Sequence, residues 1–256
     1  MKLSIVTISF NQAEFLQRCI DSVAAQKGVD YEHIIIDACS TDGSQKIIEN
    51  NPAYFSKIII EKDRGPADGL NKGFAHATGD IFAYLNADDE YLPGSFSKMI
   101  EAFARRPEAD VIFGDGKVID GDGAPLGFSL SASKFSRYRY LLGATMVCQP
   151  ATFFRKEIYR ATDGFNLQNS TCWDGELLLD MSERGATFVH TPQFLANFRL
   201  HDASITGSGR MQEAFYSYKN SLFEQRLHRK KRLSDKVLMW VFRIENRLKK
   251  ALRKKA

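Results

Sequence analysis

Short apolar runs alternate with amphipathic stretches along the first 115 residues. The runs "LSIVTIS", "YEHIIIDA", "SKIIIEKD", "DIFAYL" and "ADVIFGDG" are short and rich in β-branched residues, which indicates buried strands. Helices are predicted over "QAEFLQRCIDSVAAQ", "STDGSQKIIEN", "ADGLNKGFAHA" and "GSFSKMIEAFARR". This alternation of strands and helices predicts an α/β fold with a mostly parallel central sheet flanked by helices.

The pattern becomes less regular after residue 116. The segment "KVIDGDGAPLGF" predicts a hairpin with a Gly-Asp-Gly turn, and "GELLLDMSERG" predicts a helix. Two further apolar segments, "TFVHTP" and "FLANFRLH", follow, and the first of them is predicted to be a short strand.

Composition agrees with one large α/β domain carrying an appendage. The chain has 256 residues, of which 44% are hydrophobic and 26% are charged. Its four cysteines form no CxxC pair, so we expect reduced thiols in a cytoplasmic protein. We expect neither a signal peptide nor a membrane-spanning helix, because no apolar run approaches about 18 residues.

The charge is distributed unevenly, with a basic tail on an acidic body. From Arg226 onward, 13 lysines and arginines oppose two acidic residues, so the tail carries +11 and the rest of the chain −7. Apolar residues recur there at helical spacing, namely Leu233, Val237, Trp240, Val241, Ile244 and Leu248. This pattern favours an amphipathic helix on an anionic membrane. The alternative is a helix packed on the body or on a second subunit, whereas a nucleic-acid partner is not expected.

Polar residues follow each predicted strand, where ligands bind in open α/β sheets. The first strand is followed by Phe10 and Asn11, the second by Asp37, the third by Asp63 and Arg64, the fourth by Asn86, Asp88 and Asp89, and the fifth by Asp115. The glycine-rich phosphate-binding motifs GxGxxG and GxxxxGK[ST] are absent after the first strand. This acidic edge predicts a divalent cation, Mg²⁺ or Mn²⁺, that bridges to a diphosphate.

The acidic segment after the fourth strand has two interpretations. Because successive side chains of a strand point to opposite sides, Asp88 and Asp89 need not bind the same group. One is expected to hold the metal while the other accepts hydrogen bonds from a sugar or ribose hydroxyl. The alternative is an Asx turn that caps the next helix, which is predicted to begin near Pro93.

Five motifs occur in an order that resembles the family 2 glycosyltransferases, which have the glycosyltransferase-A fold. They are "SIVTISFNQ", "IIIDACSTDGS", "DRGPADGLNKGFAHATGDIFAYLNADDEY", "CQPATFFRKEIYRATDGFN" and "FRLHDASIT", and the resemblance covers roughly residues 3 to 205. Two positions depart from the family pattern. Asp37-Ala38-Cys39 replaces the usual Asp-Asp or Asp-Gly, and Asn86 stands where many relatives have Asp.

The resemblance implies inverting sugar transfer from a nucleotide diphosphate sugar, commonly a uridine one. Asp37 would accept a hydrogen bond from the base, with Phe10 and Asn11 lining it; the alternative for Asp37 is a helix cap. Asp63 and Arg64 would face the nucleotide, or would form a surface ion pair. Asn71 and Lys72 rank lower as nucleotide-sugar contacts. For the second helix, the sequence offers Ser40, Thr41 or Asp42 as the cap.

The resemblance also implies the metal ligands and the catalytic base. Asp88 and Asp89 would bind the metal with His201, for which the alternative is a purely structural role. Arg199 would meet phosphate if its segment is extended. Asp174 would be the general base, unless it is only a helix cap, and Trp173 would stack on the acceptor sugar. Glu176 is the second candidate for the base. The Gly- and Ser-rich "SITGSGR" that follows resembles a mobile lid.

The sequence therefore predicts a bacterial-type, metal-dependent, inverting glycosyltransferase that builds a surface polysaccharide or lipid-linked glycan. Residues 1–115 would bind the nucleotide sugar, 116–210 would bind the acceptor and carry the base, and 211–256 would form the basic helical extension. We expect peripheral attachment to the inner face of the cell membrane, and possible homodimers. The alternatives are a sugar nucleotidyltransferase and a non-catalytic sugar-nucleotide-binding relative.

Overall fold

A single sheet lies at the centre of the structure, which is a computed structural model that describes residues 1–132, 134–204 and 206–253. Within these ranges its strands are β1 Leu3–Ser9, β2 Tyr31–Asp37, β3 Lys57–Ile60, β4 Ile81–Asn86, β5 Glu90–Tyr91, β6 Val111–Ile119, β7 Pro125–Leu130, β8 Thr152–Arg155 and β9 Phe188–Arg199. The spatial order is β3-β2-β1-β4-β8-β6-β9-β5, and β7 pairs with β6.

The helices pack on both faces of this sheet. They are α1 Ala13–Ala24, α2 Ser44–Asn50, α3 Pro66–Ala75, α4 Ser95–Arg105, α5 Arg137–Leu141, α6 Lys156–Arg160, α7 Trp173–Glu183, α8 Gln212–Leu227 and α9 Leu233–Arg253, with short 3₁₀ turns at Pro52–Tyr54 and Gln149–Ala151. No helix in the described ranges is long and apolar enough to cross a lipid bilayer.

The predicted parallel sheet is confirmed, because β2, β1 and β4 pair side by side in parallel. The strand β8 runs antiparallel between β4 and β6, and β5 and β7 are antiparallel to their partners β9 and β6. The hairpin predicted after residue 116 is formed by β6 and β7. The two apolar segments near residue 190 form one continuous strand, β9, whose pairing with β6 is irregular around Asp115.

Close packing fixes the layers on either side of the sheet. Gly73 allows α3 to approach β1, since a Cβ added there would lie 2.4 Å from Val6 Cγ1. On this face an aromatic cluster follows, made of Phe74, Phe82, Tyr84, Phe154, Tyr159 and Phe165. The opposite face buries Phe96 and Phe153 among aliphatic side chains. Both faces of the sheet are therefore covered, as parallel sheets require.

The C-terminal helix α9 has one packed face and one exposed face. Leu238, Met239 and Phe242 pack on the core, and Asp235 accepts a hydrogen bond of 2.6 Å from the Tyr138 hydroxyl. Glu245 pairs with Arg139 of α5. The apolar residues singled out in the sequence all lie on the exposed face. The packed-helix interpretation is thus correct for one face, while the other face remains available for a partner.

Arg199 joins three parts of the sheet edge through a buried guanidinium that is 1% exposed. Its Nε donates to the carbonyl of Asp88 at 2.8 Å, and its Nη2 pairs with Glu90. Its Nη1 donates to the carbonyls of Asp120 and Gly121, both at 2.9 Å. All the partners are protein groups, so the expected contact of Arg199 with phosphate is wrong. Arg199 instead fixes the acidic turn against the turn between β6 and β7.

We expect Arg199→Met to lower the free energy of unfolding by about 3–5 kcal/mol, because it leaves the Glu90 carboxylate and three carbonyls without their buried donor. Urea denaturation measures this value. Arg105→Met, which removes an exposed ion pair with Glu101, is the control and should change stability by at most about 1 kcal/mol. Equal stability of the two variants would contradict the structural role of Arg199.

Candidate active site

Phe10 and Asn11 form the loop at the carboxyl end of β1. The Phe10 side chain is 61% exposed, as a surface for stacking on a planar ring would be. Asn11 has a left-handed backbone with φ of 52°. Its amide donates to Ser40 Oγ at 2.8 Å, and its Oδ1 accepts from the Thr41 amide at 2.9 Å. Asn11 therefore holds the β1 and β2 loops together and leaves Phe10 exposed beside them.

Asp37 ends β2 and shapes the turn that follows. Its carboxylate accepts from the amide and the hydroxyl of Ser40, both at 2.7 Å. It does not cap α2, whose N-cap is Gly43, so the helix-cap alternative is wrong for Asp37. Among the proposed caps, Asp42 comes nearest, because its Oδ1 accepts from the Ser44 amide at 3.0 Å. Any contact between Asp37 and a base remains a prediction.

Asp63 and Arg64 form the third loop of this edge. Asp63 Oδ1 accepts from the Gly65 amide at 2.9 Å. Burial raises the pKa of Asp63 above its ordinary value, and the charge of Asp37 contributes, so these two loops are close. Arg64 pairs with Asp68, while its side chain is 72% exposed. The ion-pair alternative is thus correct for Arg64, and the exposed guanidinium remains available to a ligand.

Asn71 was predicted to contact the nucleotide sugar, but its side-chain amide is bound by the protein instead. Its Nδ2 donates to the carbonyl of Phe165, and its Oδ1 accepts from the Phe165 amide, both at 2.8 Å. A hydrogen bond of 3.2 Å from the Tyr159 hydroxyl completes its set of partners. Asn71 therefore anchors the loop that precedes α7. Lys72 is likewise engaged, because it pairs with Glu61 at 2.9 Å.

The acidic turn after β4 separates its two aspartates. Asp88 Oδ2 lies 3.1 Å from His201 Nε2, and the His201 ring packs on Phe15 of α1 with centroids 4.5 Å apart. Asp89 points away from this pair, since its Oδ1 accepts from the amide of Arg199 at 2.8 Å. The turn does not cap α4, whose N-cap is Gly94. The Asx-cap alternative is therefore wrong.

Asp89 differs from Asp88 in its surroundings, and its place among the metal ligands remains a prediction. Burial raises the pKa of its carboxyl well above the ordinary range, and the Asp88 charge adds to this effect. The amide and guanidinium of Arg199 act in the opposite direction. Asp89 Oδ1 is taken by the Arg199 amide, whereas its Oδ2 has no protein partner. Asp88 and His201 face each other and are the other candidate ligands.

The residues at the edge fit a cation that shares its ligands with a diphosphate. In the described part of the chain, no three His, Cys, Asp or Glu side chains are arranged to enclose a metal. Mg²⁺ is nevertheless commonly bound by one or two carboxylates together with substrate phosphates. Several buried oxygens at this edge lack a protein partner, namely Ser9 Oγ, Gln12 Oε1, Asn86 Oδ1 and Asp89 Oδ2. Bound water or ligand would satisfy them.

Asp174 lies in the first turn of α7, one residue inside the helix, whose N-cap is Cys172. Asp174 is therefore not the N-cap, although its carboxylate accepts from the Gly175 amide within the first turn, and its role as the base remains a prediction. Burial raises the pKa of its carboxyl above the ordinary value, opposed by the Gly175 amide and the Lys219 charge. The charges of Asp174 and Asp89 both raise the pKa of Tyr84 on β4, after its burial. Tyr84 and Trp173 also belong to one core cluster, so the first turn of α7 lies near the strand that leads to Asp88.

Glu176, the second candidate for the base, is bound by protein donors and is not suited to that role. Its Oε1 accepts from Asn166 at 3.1 Å, and its Oε2 accepts from Asn169 at 2.7 Å and from the Tyr218 hydroxyl at 2.8 Å. These bonds tie α7 to α8 and leave no oxygen of Glu176 free for an acceptor. Trp173 is 8% exposed and packs in the core, so stacking on a sugar would require its ring to move.

Two polar residues that contact this edge were not predicted, His190 and Gln149. His190 Nε2 lies 2.9 Å from Asp115 Oδ1, the residue predicted to follow the fifth strand, and this pair is buried. Gln149 accepts from Asn86 at 3.3 Å and donates to the carbonyl of Tyr84 at 2.8 Å, bridging the acidic turn to the next loop. Only Gln149 had a local signal, its place in the "CQPATFFR" motif.

The lid predicted at "SITGSGR" begins as a compact turn on His201. Ser204 Oγ donates to the His201 carbonyl at 2.8 Å and accepts from the Gly207 amide at 2.9 Å. Ile205 lies outside the described residues, as do Lys254, Lys255 and Ala256 at the end of the basic tail. Movement of this segment remains a prediction.

Comparison with known proteins identifies relatives over most of the chain. The family profile described as Glycosyl transferase family 2 matches residues 4–162. An uncharacterised glycosyltransferase of Mycobacterium tuberculosis is 30% identical over 69% of this chain and 67% of its own length. The putative teichuronic acid biosynthesis glycosyltransferase TuaG of Bacillus subtilis is 27% identical over 80% of this chain and 82% of its own length. An uncharacterised glycosyltransferase of Nostoc is 36% identical, but the match spans only 40% of its length.

Solved structures share the fold at low sequence identity. S. aureus TarS 1-349 in complex with UDP-GlcNAc aligns over 91% of this chain and 68% of its own, with a TM-score of 0.69 at 17% identity. The mannosyltransferase PcManGT from Pyrobaculum calidifontis in complex with GDP-Man and Mn²⁺ aligns over 91% of this chain and 66% of its own, with a TM-score of 0.66 at 17% identity. The glycosyltransferase-A fold predicted from the sequence is confirmed, and the chain belongs to glycosyl transferase family 2, a family of glycosyl transfer enzymes.

Proposed function

We propose that the protein transfers a sugar, with inversion at the anomeric carbon, from a nucleotide diphosphate sugar to a hydroxyl of a glycan or lipid-linked acceptor. The observation that supports this most is the proximity of two carboxylate sites around β4. Asp88 follows the strand and faces His201, while Asp174 lies near Tyr84. One site suits a diphosphate with its cation, and the other suits a base.

The donor half of the proposal rests on the loops after β1, β2 and β3. Exposed Phe10 would stack on the base, and Asp37 would accept a hydrogen bond from it through an oxygen shared with Ser40. Asp63 and Arg64 would line the same edge. A uridine diphosphate sugar is favoured, since the TarS structure of the same fold contains UDP-GlcNAc.

Asp88 and His201 would hold Mn²⁺ or Mg²⁺ together with diphosphate oxygens. The cation, when bound, stabilises the negative charge on the leaving diphosphate. Support comes from the buried oxygens at the edge that lack a protein hydrogen-bond partner, and from the Mn²⁺ named in the PcManGT structure. Asp88 contributes the carboxylate, and Phe15 fixes the plane of the His201 imidazole.

Asp174 would act as the general base. The acceptor oxygen forms a bond to the anomeric carbon as the bond from that carbon to the diphosphate oxygen breaks. The hydroxyl proton passes to the Asp174 carboxylate, so no covalent enzyme intermediate is needed. The raised pKa of Asp174 suits this role, because a stronger base accepts the proton more readily.

We expect Asp174→Asn to lower transfer about 10²–10⁴-fold while the donor still binds, because only the proton acceptor is lost. A panel of nucleotide sugars, screened by thermal shift with Mn²⁺, identifies the donor. Release of UDP from that donor then measures turnover, and a chelator should abolish it. Asp163→Asn, at a fully exposed carboxylate paired with Arg184, is the matched control.

The alternatives give different results in the same assay. A nucleotidyltransferase would release pyrophosphate from a sugar phosphate and UTP. A non-catalytic sugar-nucleotide-binding protein would bind the donor but release no UDP, in wild type and Asp174→Asn alike. Full turnover by Asp174→Asn would show that a different group removes the acceptor proton.

We also propose that α9 attaches the protein to the inner face of the cell membrane, where a lipid-linked acceptor would lie. Its packed face fixes the helix to the domain through Asp235 and Glu245. Its exposed face carries apolar residues among lysines and arginines, including Val237, Trp240 and Ile244. Burial of these side chains in an anionic interface combines apolar and charge attraction.

We expect the full chain to sediment with vesicles that contain phosphatidylglycerol and to bind neutral phosphatidylcholine vesicles more weakly. Replacing Val241 and Ile244 by Glu should weaken binding at least about tenfold, because it removes apolar area and adds repulsion. Tyr54→Glu, at an exposed aromatic outside α9, is the control. No sedimentation of the wild type would contradict membrane attachment, and a dimer broken by the double substitution would assign the face to a second subunit.

A further inference from the structure

Two lysines of the C-terminal region lie beside each other near the end of α5. Lys219 of α8 is half-buried, and its Nζ lies 4.1 Å from the centre of the Tyr140 ring. Lys231 is exposed in the segment between α8 and α9. Its Nζ donates to Oδ1 of Asn220, the chain neighbour of Lys219, at 2.7 Å. This hydrogen bond holds Lys231 against the turn of α8 that carries Lys219.

An arginine of α9 reaches the same end of α5. The exposed Arg243 donates from its Nη2 to the carbonyl of Gly143 at 3.0 Å. The Gly143 amide in turn donates to the carbonyl of Tyr140 at 2.9 Å, so the guanidinium lies close to the residue whose ring contacts Lys219. We call these three residues the cation cluster, namely Lys219, Lys231 and Arg243.

The cation cluster has no bound countercharge. In the described ranges of the chain, none of its three members forms an ion pair with a carboxylate. Burial lowers the pKa of Lys231 and the Asp235 charge opposes this effect, but the Asp235 carboxylate is already bound by Arg229 at 2.6 Å. Burial lowers the pKa of Lys219 too, and the charges of Lys231 and Arg243 add to this effect. A bound anion would relieve this repulsion.

The cation cluster lies between the candidate base and the exposed face of α9. On one side, the Tyr140 hydroxyl packs on α7, since a Cβ added at Gly175, the residue after Asp174, would lie 2.2 Å from it. On the other side, Arg243 Cζ lies 5.9 Å from the centre of the exposed Trp240 ring. An anion held by the cluster would therefore have the first turn of α7 on one side and the apolar face of α9 on the other.

Phosphate is the anion that this arrangement suits. Lysine ammonium groups and the forked donors of arginine both bind phosphate oxygens with charge-assisted hydrogen bonds. A sugar linked to a lipid through phosphate has an apolar chain at one end and hydroxyls at the other. The order of chain, phosphate and sugar matches the order of α9 face, cation cluster and Asp174.

We propose that the cation cluster binds the phosphate or diphosphate group of a lipid-linked acceptor, with the lipid chain against α9 and the acceptor sugar towards Asp174. The inference rests on the proposed function and narrows its acceptor to an anionic lipid-linked sugar. It also gives α8 and α9, which follow the region matched by the family profile, a role in acceptor recognition.

Calorimetric titration with farnesyl diphosphate tests this site. A chelator is present, so that the donor site, which is proposed to need a cation, does not compete for the diphosphate. Wild type should bind farnesyl diphosphate at least about tenfold more tightly than farnesol, which lacks the anion. Lys231→Gln combined with Arg243→Gln should lower the affinity for farnesyl diphosphate at least about tenfold.

The matched control is Lys230→Gln combined with Arg232→Gln, which removes the same charge from exposed positions that flank Lys231. It should bind farnesyl diphosphate as wild type does. Equal losses in the two double variants would show general charge attraction, and equal binding of farnesol and farnesyl diphosphate would show apolar contact alone. Either result would overturn the phosphate site. Thermal shift by UDP with Mn²⁺ should be the same in all variants, which verifies that they are folded.

Two further measurements separate the remaining explanations. Sedimentation with phosphatidylglycerol vesicles should weaken equally in the two double variants, because both lose the same charge. A selective loss in Lys231→Gln with Arg243→Gln would assign the cluster to phospholipid headgroups and overturn the proposal. Asp174→Asn should bind farnesyl diphosphate as wild type does, so full turnover by that variant would overturn the proposed function without affecting the phosphate site.

Discussion

The buried guanidinium of Arg199 is the interaction on which the arrangement of the edge depends. Three acidic residues, Asp88, Asp89 and Glu90, follow one another after β4 and would repel in a buried turn. Arg199 pairs with Glu90, binds the Asp88 carbonyl, and donates its amide to Asp89. The positive charge of Arg199 thereby offsets the negative charge of the turn, and its backbone amide binds Oδ1 of Asp89. Asp88 is left facing His201, and it is the carboxylate of the turn that we assign to a cation.

Tertiary contacts of this kind divide the polar residues into those that build the site and those that remain for ligands. Asn71, Glu176 and Arg199 are saturated by protein partners and hold the loops around β4, α3 and α7 in place. The carboxylates of Asp88 and Asp174 are left without such saturation. The division follows from hydrogen-bond accounting, because a buried polar group that has found its partners has little left to offer a substrate.

Local pattern was sufficient for the parallel strands and their helices, because β-branched runs and amphipathic spacing are short-range signals. The short strand β8 was not predicted, because four residues are too few to show a periodic pattern. The sequence predicted acidic residues at the carboxyl ends of the strands. It did not predict the direction of the Asp89 side chain, because its partner, Arg199, is 110 residues away. The same applies to Asn71 with Phe165. Contacts of long sequence separation decided each of these cases.

Calorimetric titration of UDP with and without Mn²⁺ tests the central claim most directly. If Asp88 holds the cation that carries the diphosphate, Mn²⁺ should strengthen UDP binding to wild type at least about tenfold, since the cation adds charge-assisted contacts to the phosphates. Asp88→Asn should lose this gain, whereas Asp163→Asn should keep it. Equal UDP affinity of wild type with Mn²⁺ and with a chelator would contradict the account.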